Sequence, residues 1–527
     1  MTASQDGKLQ EKFHMFSLCT LAVLLSGVWQ TAAGSLVTGI YGGGPPVAIF
    51  GTLGFGVALS IECLALAEFA SSYPSAGGLT YAAFKVGGPK YGRITSYLTG
   101  FYQSMGVLFN PASNILAITE VIVTCAELFY DDYRSTRWQC FLVYQFINIV
   151  IMGSVARGPE QVANYKENKP LTVFVSTGGI FVVGFAITVG VLVGKSPAIQ
   201  SPDVVFGTLV NDTGFPMSIG IMIGFLGPLY AYGPSHWLLN MAEDVYNPTR
   251  NIPIAFLAQQ IGNILFLFGF YVAAYFACPD FGALTESTYT TIIAGLYKIT
   301  TQSAGLSLFL LLFVLFSYIF GALELISANI RLVYGFTRCE SVPWVHWWAK
   351  VDEKYDLPIN VTYVIAVVNA LLGFIYLGSA SAFNIFLGTC MAFYTIGFLP
   401  IFITAIMTNR KYITPGWFSL NWGVGMFTNA FSLAFQLFGL VIYTFPPSYP
   451  VTPATMNWAV VFVAAFTFVA ALSWYYHGRH HYFTIDENEG VLEGSNDGIA
   501  ADRLNGNSET LHYSAVESKL AGVMVSV

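Results

Sequence analysis

Long apolar runs separated by short polar or turn-rich segments dominate this chain, and the lengths of the runs decide what they are. A hydrocarbon core of about 30 Å and a helical rise of about 1.5 Å per residue ask for about 20 mostly apolar residues per span. Twelve stretches meet that requirement: Phe13 to Ile40, Pro46 to Ser71, Ile94 to Ala126, Trp138 to Ala156, Leu171 to Gly194, Pro216 to Ala242, Pro253 to Ala277, Ser303 to Tyr334, Ile359 to Gly378, Phe383 to Met407, Asn421 to Thr444 and Met456 to His477. The pattern predicts an all-α integral membrane protein with a cytoplasmic leader at 1–12, a twelve-helix domain at 13–477 and a polar, acidic, disordered tail at 478–527. The first run is too long, and lacks the small-residue cleavage site, for a removable signal peptide.

Two of the runs are interrupted. A helix break at membrane depth leaves backbone groups without partners, so it is tolerated only inside protein or along a cavity. Helix one carries the small and polar sequence Trp29-Gln30-Thr31-Ala32-Ala33-Gly34-Ser35 in mid-span, then Gly39 and Gly42-Gly43-Gly44-Pro45-Pro46. In helix six, Gly227-Pro228 and Gly233-Pro234 bracket Leu229-Tyr230-Ala231-Tyr232. Each proline lacks an N–H and disrupts a bond to the carbonyl four residues earlier, which exposes oxygens able to coordinate a cation or polar solute. Breaks five helices apart predict an inverted repeat of five plus five, with repeat one at about 13–194, repeat two at about 216–407 and helices eleven and twelve at about 421–477. Close helix packing through Gly is the alternative reading of the same residues.

Composition and charge refine the picture. Charged residues make up 10% of the chain and hydrophobic ones 55%, far from the balance of a water-soluble domain. With the N-terminus in the cytoplasm, eighteen of the 22 Lys and Arg fall on the cytoplasmic side and only Arg134, Arg137, Lys195 and Lys298 on the other. Positive residues are retained inside, so this bias predicts that both termini are cytoplasmic, most simply at the plasma membrane. Asn211-Asp-Thr213 is a glycosylation acceptor pattern in a loop that this topology puts outside, although Asn360-Val-Thr362 is the same pattern inside. The net charge of −7 comes largely from the tail and argues against a nucleic-acid partner. Seven scattered cysteines show no CxxC pair and no metal-ligand spacing, so neither a metal nor a cofactor is expected; free thiols are the expectation, with Cys125 and Cys140 the only pair flanking one outer loop. His477, His480 and His481 have no acidic companion before Asp486 and read as an interfacial cap.

Four further segments carry a resemblance: Gly43-Gly44-Pro45 after Trp29; Ala67-Glu68-Phe69-Ala70-Ser71-Ser72-Tyr73-Pro74-Ser75-Ala76-Gly77-Gly78; Met241-Ala242-Glu243-Asp244 with Asn247-Pro248-Thr249-Arg250-Asn251-Ile252-Pro253; and Arg331-Leu332-Val333-Tyr334-Gly335-Phe336-Thr337-Arg338. Together they resemble the amino acid, polyamine and organocation transporter superfamily, in particular its fungal amino acid, GABA and choline permease branch. The resemblance implies a LeuT-type fold of twelve helices with discontinuous helices one and six. It also implies a substrate cavity between the unwound parts, and secondary transport of amino acids, GABA, choline or polyamines by alternating access. The chain departs from the family where an acidic residue and then His are common before Met-Ala-Glu, since it has His236 and Asn240. It also has Gln30 where Glu is frequent in the choline-like branch.

The expected substrate contacts are therefore Gln30, Thr31, Ala33, Gly34 and Ser35 from helix one, Tyr102 from helix three, and Tyr230, Tyr232, Gly233, Ser235 and His236 from helix six. Ring faces of Trp29, Tyr102, Tyr230, Tyr232 and Trp237 suit an ammonium group. His236 either meets a substrate carboxylate or bonds a freed carbonyl. An ionisable side chain in a span costs about 2.5 to 3.5 kcal/mol on insertion scales, so each needs a reason. Glu62 is either a protonated structural carboxyl or part of a proton path. Glu324 lies seven residues, roughly 10.5 Å, from Arg331 along one helix, too far for a direct pair. Glu68 and Glu243 belong to gating and architecture at the cytoplasmic ends, Glu68 by securing the loop between helices two and three. The function expected is a proton-coupled permease for a small amino acid or amine. A nutrient receptor with a transporter fold and a membrane-bound enzyme are the alternatives, the latter without any dense catalytic constellation or phosphate-binding loop in the sequence.

Overall fold

The computed structural model describes residues 14–75, 77–130, 133–156, 178–233, 235–348, 350–352, 358–378, 382–452, 456–486 and 490–492. Among them, ten helices are long and apolar enough to cross a bilayer. The first run is split into α1 (Met15–Ser26) and α2 (Val28–Tyr41), followed by α3 (Pro45–Ser72), α4 (Gly78–Glu127), α5 (Arg137–Ala156) and α6 (Gly179–Lys195). The start of the fifth expected span, at 171–177, lies outside the described residues, as does the leader. The sixth run is in pieces, α7 (Met217–Gly224), α8 (Leu226–Tyr232) and a 3-10 helix over His236–Asp244, none long enough to span alone. Then come α9 (Pro248–Ala277), α10 (Ala304–Thr337), α11 (Ile359–Gly373), α12 (Ala382–Met407), α13 (Trp422–Tyr443) and α14 (Ala459–Ser473).

Local chemistry sets the ends. Pro45 and Pro46 occupy the first turn of α3, where a missing N–H costs nothing. Ser303 and Asn421 cap α10 and α13 by accepting from the N–H of Leu306 and Val424. Gly88, at φ 60°, bends α4 so that its first ten residues form an arm before the span proper.

Across the bundle, α2 packs on α8, α3 on α9, α4 on α10 and α5 on α11, so each early span lies against the one five spans later. Against α4 also lies α12, which packs in turn on α13. Phe146, Ile149, Leu265, Leu371 and Phe468 are exposed on the bundle's outside, the apolar surface a bilayer would cover.

Three expectations need correction. The break in helix one is not at Trp29–Ser35, which is helical, but at Gly27, whose left-handed backbone (φ 55°) ends α1 and starts α2. In helix six, Gly227-Pro228 lies inside α8, so of the two expected breaks only the one at Gly233 (φ 60°) stops the helix. The tail is structured at its start: Arg93 donates to the carbonyls of Tyr482 (2.9 Å) and Gly478 (3.2 Å), and buried Tyr482 shares a hydrogen bond with Ser96 at 2.7 Å. These contacts hold the chain under α4 as far as a small antiparallel pair, Thr484–Asp486 with Gly490–Leu492; residues 493–527 lie outside the described residues.

Candidate functional site

The two breaks open onto one cavity of about 110 Å³. Helix one contributes Ser26, Gly27, Gln30 and Thr31; helix six contributes Tyr230, Ala231, Tyr232, Gly233 and Trp237. The remaining wall comes from α4 (Asn110, Ser113, Asn114), α6 (Ile180, Phe181), α10 (Ser317, Tyr318, Asn329) and α12 (Leu387, Met391, Tyr394). Among the described residues, no carboxylate, lysine, arginine or histidine lines it.

The wall is mostly apolar, and most of its uncharged polar groups are fixed. Tyr318 donates to the Gln30 carbonyl at 2.9 Å, tying α10 to the start of α2. Tyr232 donates to the Thr52 carbonyl at 2.6 Å, and Tyr230 stacks on Tyr443 with centroids 5.5 Å apart. Asn329 donates to the Asn110 side chain at 3.1 Å, and the Asn110 carbonyl accepts from Ser113 at 2.8 Å and Asn114 at 3.0 Å. Two buried wall atoms, Gln30 Oε1 and Ser317 Oγ, have no hydrogen-bond partner among the described residues. A buried polar atom left unpaired costs about 1–3 kcal/mol, which a solute's donor would recover.

Of the expected contacts, Gln30, Thr31, Tyr230, Tyr232 and Gly233 meet at this cavity. The others do not line it. Ala33 is buried and Gly34 exposed, while Ser35 donates to the carbonyls of Thr31 (3.2 Å) and Gly227 (3.1 Å) and so joins helix one to helix six. Tyr102 donates to Thr467 at 3.2 Å, and Ser235 accepts from Gln260 at 3.1 Å. Trp29 is buried among Phe181, Phe185 and Phe270. His236 opens the 3-10 helix; its side chain and that of Glu243 lie outside the described residues.

The carboxylates divide sharply. Glu68 pairs with Arg410, whose Nη2 lies 2.7 and 2.8 Å from its two oxygens, and also accepts from the Leu420 N–H at 2.9 Å. It therefore fastens the end of α3 to the loop between α12 and α13, rather than to the helix-two to helix-three loop. Glu62 is 3% exposed and accepts from Gln436 at 2.7 Å. Glu324 is half-buried on α10, off the cavity wall. Asn211 donates to the Phe215 carbonyl at 2.7 Å and accepts from Thr213, bonds that shape this loop. All seven cysteines are free. His477 contacts the Glu340 carbonyl at 3.0 Å and His481 lies 4.0 Å from the Glu340 carboxylate, an acidic companion that the local sequence could not disclose.

Sequence reasoning missed Asn110, Ser317, Tyr318 and Asn329. The available signal was a polar residue beside proline in mid-span: Asn110 precedes Pro111, which cannot donate to the carbonyl four residues back.

The family described as amino acid permease matches residues 15–466. The chain belongs to the amino acid permease family. This permease is 26% identical to the "Choline transporter" of Saccharomyces cerevisiae over 93% of its own length and 85% of that protein's. It is 23% identical to the "Amino-acid permease BAT1" of Arabidopsis thaliana over 90% of its length and 93% of the relative's. With the "Transmembrane transporter swnT" of Metarhizium robertsii it shares 26% identity over 86% and 90% respectively. The permease is thus a multi-pass membrane transporter, not an enzyme, of the superfamily that its motifs resemble.

Proposed function

We propose that this permease is a secondary active transporter that carries a small amino acid, or a related amine such as GABA or choline, by alternating access and in symport with protons across the plasma membrane. The observation that carries this reading is that helices one and six both break, at Gly27 and Gly233, against the same cavity. The start of α2 presents the positive end of a helix dipole there, and the end of α8 presents carbonyls. Opposed helix ends of this kind suit the carboxylate and the ammonium of a zwitterion without any charged side chain. The pairing of α2 with α8, α3 with α9, α4 with α10 and α5 with α11 supports a five-plus-five arrangement within twelve helices. Tyr230, Tyr232, Tyr318 and Trp237 on the wall, and a relative named a choline transporter, favour testing a quaternary ammonium alongside amino acids.

The test is uptake of labelled amino acids, GABA, choline and polyamines into vesicles carrying the purified permease, with and without an inward proton gradient. Saturable, gradient-stimulated uptake of one solute is the expected result. Uptake of none of them would overturn the reading in favour of a receptor with a transporter fold.

A further inference from the structure

We propose that Glu62 is the residue that carries the coupled proton, binding it in the conformation seen here and releasing it in another; this rests on the proton-symport reading above. Glu62 sits in mid-α3, 3% exposed and away from the cavity wall. Its Oε1 accepts one bond, from the Gln436 amide of α13 at 2.7 Å. Its Oε2 is buried without a hydrogen-bond partner among the described residues.

The groups around it are a thiol, a phenol, a hydroxyl and side-chain amides. Cys63 follows it on α3, with Ser235 of the helix-six break and Gln260 of α9 near that thiol. From α13, Tyr443 lies within electrostatic reach of Glu62, of Tyr230 on α8 and of Cys390 on α12. Arg410, the cation at the inner end of α3, is already committed to Glu68, six residues or roughly 9 Å further along the helix.

An ionised carboxylate in such a place has one amide donor and no counter-charge, which is prohibitively costly in a low-dielectric interior. Binding a proton on Oε2 cancels the charge and leaves the Gln436 bond on Oε1 intact. The conformation described here therefore accepts Glu62 only in its neutral form, so passage through it requires a proton. Contact with the substrate is indirect: the Tyr443 ring stacks on Tyr230, which lines the cavity. Movement of α8 on substrate binding would shift that stack and change what Glu62 meets.

Two measurements on the reconstituted full-length permease decide the matter. Infrared difference spectra of the wild type minus Glu62→Gln at neutral pH should contain the carbonyl stretch of a protonated carboxyl; its absence would show that Glu62 is ionised and overturn the proposal. In vesicles, labelled choline, GABA and small neutral amino acids serve as probes. Glu62→Gln should retain counterflow exchange of the transported probe while losing at least tenfold in gradient-driven accumulation, and Glu62→Asp should recover gradient response with a displaced pH profile. Gradient-driven accumulation by Glu62→Gln equal to the wild type's would overturn the role of Glu62 alone. Wild-type uptake indifferent to the gradient would overturn the symport reading, and this proposal with it. Should Glu62→Gln fail to reach the membrane, Glu62→Asp replaces it in both measurements: a shifted carboxyl band and a displaced pH profile support the proposal, and a spectrum and profile equal to the wild type's overturn it.

Discussion

Helix one at Gly42 and helix six at Gly224 meet backbone against backbone, whereas at the opposite end of the bundle helix six turns into a 3-10 helix and its neighbours are held by side chains. At the glycine seam, a β-carbon on Gly224 would overlap the Gly42 carbonyl oxygen, and one on Gly42 would overlap the Gly224 nitrogen. Beside this contact, Gly43 donates to Val210 at 2.7 Å and accepts from it at 3.3 Å. At the opposite end, the 3-10 helix after Gly233 presents Asn240 to Gly78, and Glu68 and Arg410 lock α3 to the loop beyond α12. A seam without side chains closes only when both backbones are in register, so it is a matter of shape. The opposite end depends on a charge pair and on a stretch of helix six that has left regular α-helical bonding. In this conformation the glycine seam is shut, and the cavity lies on the Gly27 and Gly233 side of it.

The largest effect is expected from breaking the pair of Glu68 with Arg410. Arg410→Met leaves Glu68 buried without its cation, a loss of about 3–5 kcal/mol for a pair broken on one side. Thermal unfolding of the purified permease should show this as a marked fall in Tm. Adding Glu68→Met should return much of the loss, because two apolar side chains need no compensation; a double variant as unstable as the single one would mean that Glu68 acts through the Leu420 N–H instead.

A smaller effect, but one on conformation, is expected at the glycine seam. Gly224→Ala must push the two backbones apart, and overpacking of this kind costs about 1–3 kcal/mol. Here the cost falls on the state in which this seam is shut. The variant should therefore shift toward a form open at the seam, read as faster thiol labelling of a cysteine introduced at Thr38, one helical turn before Gly42. Labelling no faster than in the same cysteine background with Gly224 would sink the idea that glycine contact sets the closure.

The same contrast separates what the sequence disclosed from what it hid. That the runs are membrane-spanning helices was legible, because hydrophobic length has one physical meaning in a bilayer, and ten such helices stand among the described residues. That helices one and six break was legible from Gly and Pro, and so was the break at Gly233, yet the position of the break in helix one was not. Polar Gln30, Thr31 and Ser35 suggested unwinding, but each can sit in a helix, and Ser35 satisfies its hydroxyl by bonding back to the Thr31 carbonyl. Gly27 gave no local sign, because a single glycine in a span is ordinary and only tertiary contacts select its left-handed form. Five of the eleven expected substrate contacts reach the cavity. The walls from α4, α10 and α12 were invisible because the pairing of Asn110 with Asn329 spans 219 residues. The partner of Glu68 was hidden for the same reason, 342 residues away.

Ser35 offers the finest test of the boundary between site and scaffold. The sequence placed it among the substrate contacts, but its hydroxyl donates across the helix-one to helix-six contact to the Gly227 carbonyl at 3.1 Å. That carbonyl is bonded by a side chain from another helix, which makes the bond a brace between the halves of the site. Ser35→Ala should cost about 0.5–1.5 kcal/mol, the usual net worth of one hydrogen bond, and appear as a modest fall in Tm. Substrate affinity in the folded protein should be unchanged, since the hydroxyl does not reach the cavity wall. A loss of affinity without a loss of stability would instead put Ser35 in contact with the solute, and would mean that α2 swings toward the cavity during the transport cycle.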